Sequence, residues 1–411
     1  VTLMKNRNFV ILFSGQLVST VGDNLYGIAL LWYVLQLTHS KSALTITGFA
    51  MSLPPILGIF VGVFVDRWRK HATLVVSDVI RAILLFALFS MSYFMTPNFA
   101  WIVSIVVLVE VVGTFFGPAY GALIPHILRS DDLAAASGLN MSGSAFASLG
   151  GMLGGGALMG LLGASKLFLG DAVSFVLSVV SLLFVRSPEP KRDRKASTSL
   201  LAEWKEGLTV IKKSRYLLQT GLTSTVNNFS LAGFGIVIVP WVKNVMHGSA
   251  FVLGSLEAAL LIGMILGGLV AGAVAKRFRY RLIDCITLTS LGAGVSLTGA
   301  WANVYWDIAV MFAAGLMLGI VDGAGGAVRV MMVPEEVRGR VFSTLGTMSR
   351  MATPIGVAVL GTLMIYVHLW IVLLLTGIGP IIGGLSFLLP FSKQAFAVVD
   401  DERFGSEGVT A

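Results

Sequence analysis

Apolar runs of about 20 residues or more recur along the chain, Ala82–Met95 with both its flanks among them, and a helix of that length matches the thickness of a bilayer. Barrel strands crossing the same distance would be short and would alternate apolar with polar side chains. The runs here are continuous, so helices are the spanning element. Charged residues make up 12% of the 411, against roughly 25% in an average soluble domain, and 56% are hydrophobic, which excludes folding in water. The 47 glycines suit helices whose backbones approach closely. The fold class is therefore an all-α integral membrane protein.

Twelve spans are expected, at about 9–37, 43–66, 72–95, 99–125, 134–163, 167–186, 216–242, 250–275, 282–302, 305–330, 341–366 and 369–391. The run that follows Val1–Asn8 is too long for a signal-peptide core and has no convincing cleavage site, so it reads as the first span. An even number of spans puts both termini on one side. With that side cytoplasmic, Lys41, Lys166 and Lys243 are the bases outside and Arg81, Arg329 and Arg350 lie within spans. The rest of the 29 Lys and Arg face inward, the bias the positive-inside rule requires. The net charge of +8 is accounted for by topology, and no nucleic-acid partner is implied. Trp32, Trp101, Trp241, Trp301, Trp306 and Trp370 fall at expected outer ends, as an interfacial belt would; Trp68 and Trp204 fall inside.

Between the sixth and seventh spans, Ser187-Pro-Glu-Pro-Lys191-Arg192-Asp193-Arg194-Lys195 is a charged linker. Leu200, Leu201, Trp204, Leu208 and Ile211 then recur at helical spacing, which predicts an amphipathic helix resting on the inner membrane surface, with protein docking as the alternative. The expected organisation is a six-helix bundle over 1–186, a cytoplasmic linker with that helix over 187–215, a second six-helix bundle over 216–392, and a cytoplasmic tail over 393–411.

One stretch, Gly62-Val-Phe-Val-Asp66-Arg67-Trp68-Arg69-Lys70, crowds a glycine, an acid and three bases at the inner end of the second span, where switchable polar contacts make a gating loop. Gly272-Ala-Val-Ala-Lys276-Arg277-Phe278-Arg279 repeats the glycine and both arginines about half the chain further on, so the chain reads as two related halves. Asp66 is expected to meet the start of the eleventh span near Arg340 and Val341, as a carboxylate does at the positive end of a helix dipole. Lys276 has no such option, so the two copies should gate unequally.

An ionisable side chain inside the bilayer needs a partner or a task. Asp23 and Glu110 fall near the middle of the first and fourth spans, where they serve either proton coupling or helix-to-helix hydrogen bonding. Asn227, Asn228, Glu257 and Asp322 are cavity candidates in the second half. Asp78 and Arg81, three apart, share a face and can pair, although Arg81 can instead answer an acid on the first or fourth span. Asp171 and Asp307 near outer ends, and Asp284 near an inner end, are assigned structural or solvated roles; Glu335 and Glu336 are placed in water. Gly150-Gly151-x-x-Gly154-Gly155-Gly156 and Gly263–Gly272 mark close helix contacts, and Pro54-Pro55, Pro118 and Pro354 interrupt helices. Cys285 stands alone and the five histidines fall at helix ends, so no disulfide, no metal site and no histidine relay is expected; nor is any cofactor. No phosphate-cradling glycine loop is present, so an ion gradient is the expected energy source.

These residues resemble the major facilitator superfamily, in its macrolide-efflux and enterobactin-exporter-like branch. The resemblance rests on Gly62-x-x-x-Asp66-Arg67-x-Arg69-Lys70, on Ser77-Asp78-x-x-Arg81-Ala82, on Pro118-Ala119 with Pro125, and on Asp132-Leu133 and Asn140. Asp171-Ala172-x-Ser174-Phe175 and Arg338-Gly339-Arg340-Val341 before the eleventh span extend it. The glycines 150–155 resemble the antiporter signature, with Gly151 where that signature has proline. The arginine that many proton-coupled relatives carry in the fourth span is absent. The resemblance implies two six-helix bundles related by pseudo-twofold symmetry and a cavity open to one side at a time. It implies a transporter and not an enzyme: secondary efflux of amphipathic or lipophilic organic molecules by a monomer of the plasma membrane, in exchange for protons coupled through Asp23, Glu110 and Arg81. A lipid or lysolipid flippase of the same fold and a non-transporting sensor or scaffold are the alternatives.

Overall fold

The computed structural model describes residues 3–54, 56, 61, 65, 68–185 and 200–390. All regular structure among them is helical. In chain order the helices are α1 (Arg7–Thr38), α2 (Lys41–Ser52), α3 (Lys70–Phe94), α4 (Phe99–Ile127), α5 (Leu133–Leu162), α6 (Ala164–Phe184) and α7 (Leu200–Lys213). There follow α8 (Arg215–Pro240), α9 (Ala250–Arg277), α10 (Tyr280–Leu297), α11 (Val304–Met332), α12 (Glu335–Tyr366) and α13 (Leu369–Ser386). Apart from α7 these answer the twelve expected spans in order, the second being described only at its start. Among the described residues nine helices are long and apolar enough to cross a membrane on those grounds alone. α1 and α10 also have span length, at 32 and 18 residues.

Capping fixes several boundaries. The Asn6 side chain accepts from the Phe9 amide at the start of α1, and His39 closes that helix in the left-handed region with φ 49°. Ser40 caps α2, Asn98 caps α4, Ser214 caps α8 and Asn303 caps α11. One boundary differs clearly from expectation. α12 begins at Glu335, directly after Pro334, so Arg338-Gly339-Arg340-Val341 lies inside the helix and not before it. Proline ends the preceding backbone ladder and an acid in the first turn complements the helix dipole. Pro118 and Pro354 interrupt nothing, since α4 and α12 run on past them.

Packing divides the chain into two compact units, Val1–Asp193 with Val242–Ala258, and Arg194–Trp241 with Ala259–Ala411. In the first, α6 packs on α1 and α3, α5 packs on α1, and α2 bridges α1 and α4. Leu12, Leu74, Ala119, Leu123 and Leu182 form a buried cluster where four of these helices meet. The glycines of α5 divide by face. A Cβ on Gly151 would lie 2.7 Å from the Val21 carbonyl of α1 and one on Gly156 2.7 Å from that of Ala250, whereas Gly150 faces open space. Lys243 lies over the buried ring of Trp32, 5.2 Å from its centroid, so this Trp is a packing residue and not part of an exposed belt.

In the second unit α12 packs on α8, and α13 packs on α10 and α8. α9 and α11 meet glycine to backbone: a Cβ on Gly267 would meet the Leu316 carbonyl and one on Gly319 the Met264 carbonyl. Trp241 is likewise buried, donating from Nε1 to Asp307 Oδ2 at 3.1 Å, which gives the fully buried Asp307 a structural partner. The amphipathic helix α7 docks on protein: Ile211 is buried, and a Cβ on Gly207 would lie 2.8 Å from the Arg340 carbonyl of α12. Arg340 itself pairs with Glu206 at 2.6 Å.

Candidate functional site

Four helices of the first unit converge near their midpoints on one guanidinium. Arg81 of α3 donates from Nη2 to Asp23 Oδ1 of α1 at 2.6 Å, the two side chains being 13% and 37% exposed. Its guanidinium carbon sits 3.9 Å from the centre of the Phe175 ring of α6. From α4, Gly113 borders the same group, where a Cβ would stand 3.7 Å from the guanidinium carbon. A planar, permanently charged guanidinium suits such a site, because it bonds a carboxylate at its edge while stacking on an aromatic face.

Around this ion pair stand further acids. The charges that act on Arg81 are those of Asp23, Asp171, Asp78 and Glu110. Asp78, one turn before Arg81 on α3, does not pair with it; its Oδ2 accepts from Ser178 Oγ at 2.6 Å. Of the partners open to Arg81 in the sequence, Asp78 and an acid on the first or fourth span, the structure uses the acid on α1. Glu110 is half-buried and lies in the field of Arg81 and Asp23 without a bond to either.

Asp171, assigned a structural or solvated place near an outer end, is completely buried inside this cluster. Its Oδ1 accepts from Ser174 Oγ at 3.1 Å. Gly22 makes this possible, since a Cβ there would collide with both Asp171 and Ser174. Buried Tyr26, one turn from Asp23, is in the field of Glu110, Asp171, Arg81 and Asp23. Sequence reasoning missed both. The available signal was spacing: Asp171, Ser174, Phe175 and Ser178 fall on one helix face, as do Asp23 and Tyr26.

The remaining candidates are dispersed. In the gating stretch Gly62, Asp66 and Arg67 lie outside the described residues, and the expected meeting of Asp66 with α12 lies there with them. Arg69 is the N-cap of α3. Lys70 is buried and not surface-facing: its Nζ donates to the carbonyls of Val65 at 2.6 Å and Trp68 at 2.9 Å, bracing the turn into α3. In the second copy a Cβ on Gly272 would meet open space, and Lys276 is exposed near the end of α9. Asn227 of α8 is buried, and Asn228 donates to the Ser224 carbonyl at 3.0 Å; Ser224 in turn meets Ser349 of α12 at 3.0 Å. Glu257 of α9 is half-buried, while Asp322 of α11 is exposed. The second unit also has a cavity of about 480 Å³ among α8, α12 and α13, lined by Thr225, Phe229, Ser230, Ala352 and Leu375.

Comparison with known proteins specifies the kind of membrane protein that holds this charge cluster. The sequence profile of the Major Facilitator Superfamily matches residues 12–238 and 220–402, and the chain belongs to that superfamily of multi-pass membrane transporters. It is 23% identical to macrolide efflux protein A of Streptococcus pyogenes over 353 residues, covering 85% of this chain and 87% of that one. It is 28% identical to the uncharacterized MFS-type transporter YkuC of Bacillus subtilis (82% and 81% covered). Identity is 24% with the multidrug efflux pump Tap of Mycolicibacterium fortuitum (88% and 90% covered). Among solved structures, a bacterial homologue of the human lysosomal transporter Spinster superposes with a TM-score of 0.76 at 14% identity, covering 95% of this chain and 97% of that one. The chain has the major facilitator fold.

Proposed function

We propose that this transporter is a secondary exporter of the plasma membrane that drives amphipathic or lipophilic organic molecules outward in exchange for protons, with both termini cytoplasmic. The observation that carries the reading is the Arg81–Asp23 pair with Asp78, Glu110 and Asp171 around it. Four carboxylates face one guanidinium, a negative excess that protons or a cationic substrate group can balance. Asp23, whose side chain is 37% exposed, is the member open to exchange. Protonation of Asp23 releases the hold of α1 on α3, and coupling requires only that protonation and substrate occupancy favour opposite-facing states. Efflux as the direction is supported by the relatives named for macrolide and multidrug export.

The test is transport in proteoliposomes under an imposed pH gradient. Asp23→Asn and Glu110→Gln should bind substrate and exchange it but not concentrate it. Parent-like accumulation in both, and in the double variant, would place coupling elsewhere. A lipid or lysolipid cargo is the second reading, favoured by the cavity of the second unit, whose rim carries the exposed apolar side chains Val226, Ile355 and Ile378. Movement of a fluorescent lipid between leaflets, dependent on the protein, would select it.

A further inference from the structure

We infer that Asp171 is the alternate counter-ion of Arg81, a positioning residue that receives the guanidinium whenever Asp23 is neutral. The inference rests on the proposed protonation of Asp23 and deepens it. A guanidinium kept from bulk water and stripped of its carboxylate is strongly unfavourable, so a transport cycle that neutralises Asp23 must offer Arg81 another anion.

Three acids are near enough to act on it, and they are not equivalent. Asp78 precedes Arg81 on the same helix; its Oδ2 accepts from Ser178 and its Oδ1 accepts nothing from the described residues. Glu110 is only half-buried, on α4. Asp171 is completely buried on α6, the helix whose Phe175 ring the guanidinium already covers, and its Oδ2 accepts no hydrogen bond from the described residues. The buried Nε of Arg81 donates none to them either. One open donor and two open acceptors, Asp171 Oδ2 and Asp78 Oδ1, thus lie buried in the same cluster, and of the two acids only Asp171 stands on the helix whose Phe175 ring holds the guanidinium.

A route between the two partners is also present. Phe175 follows Asp171 by one turn on the same face of α6, and the guanidinium already rests over its ring. Stacking holds the cation while its edge turns, because contact with the ring face does not depend on which N–H points where. Glycines flank the path. Gly22 brings the α1 backbone beside Asp171 with no side chain between, and Gly113 leaves the α4 side of the guanidinium uncrowded. Tyr26, whose hydroxyl has no hydrogen-bond partner among the described residues, completes the lining.

A cycle of variants of the full chain, melted in detergent and followed by tryptophan fluorescence, tests this. Asp171→Asn alone leaves the Arg81–Asp23 pair intact, and Asp23→Asn alone lets Arg81 turn to Asp171. Each should shift the apparent Tm by no more than roughly 2–4 °C, while the double variant should lose roughly 6–12 °C beyond the sum of the two. Additive losses would overturn the assignment. Should the double variant fail to accumulate, Arg81→Met is added to it: recovery of folded protein supports the assignment, because the uncompensated charge is then gone, and continued failure overturns it. A merely structural Asp171 would not produce the dependence on Asp23. The cycle needs no proton gradient, so it decides Asp171 separately from the coupling reading, which fails if Asp23→Asn still concentrates substrate.

Discussion

The glycine signature of α5 should split under alanine substitution, and the structure gives the sign at each position. Alanine replacing glycine inside a helix gains about 0.5–1 kcal/mol from backbone entropy. At Gly150 nothing stands within 4 Å of the added methyl, and at Gly154 it meets only Leu25 Cδ2 at 3.7 Å. Both changes should therefore leave stability level or raise it by that amount. At Gly155 the methyl comes 3.2 Å from Leu25 Cα, close enough to push α1 a few tenths of an ångström, and gain and cost should roughly cancel. At Gly151 it lies 2.6 Å from Asn24 Cβ and 2.7 Å from the Val21 carbonyl, which cannot yield without moving α1. Overpacking of this kind costs about 1–3 kcal/mol, leaving a net loss of about 1–2 kcal/mol and an apparent Tm lowered by roughly 2–6 °C. Asn24 bonds Ser148 across this seam at 3.2 Å and is the neighbour of Asp23, so Gly151→Ala should also slow transport. The assay is a thermal melt of the four single variants with uptake measured in parallel. Equal losses at Gly150 and Gly151 would refute the face assignment.

Trp241→Phe removes the donor to buried Asp307 and should cost about 1–3 kcal/mol in a thermal melt, most of it recovered when Asp307→Leu is added. Lys70→Met strips two loop carbonyls of a charged donor and should cost roughly 2–3 kcal/mol, with Lys70→Arg failing to restore it because the larger fork does not fit a buried site. Glu206→Ala should change stability by less than about 1 kcal/mol, its pair with Arg340 being 46% and 40% exposed. Gly207→Val, in contrast, should lift α7 from α12 and speed tryptic cleavage after Lys212 and Lys213.

Hydropathy and span length are local properties, and for that reason the helical membrane class, the order of the spans and most helix ends were legible in the residues. So was the place of Asp23 and Glu110 near mid-span, because depth along a helix is a matter of counting. The start of α12 was placed at 341, six residues late, and Pro334 with Glu335 marks the true beginning. Partner choice was beyond reach. Asp78 was favoured as the partner of Arg81 over an acid on the first or fourth span, and Asp171 looked peripheral, because counting along one helix does not tell which of its faces meets another. Tertiary packing decided it: Gly22 admits α6 to α1, Ser178 takes Asp78, and Phe175 holds Arg81 between Asp23 and Asp171. A charge in hydrocarbon must be balanced, which the sequence alone required; the group that balances it depends on ångström distances between helices, which only the folded chain sets.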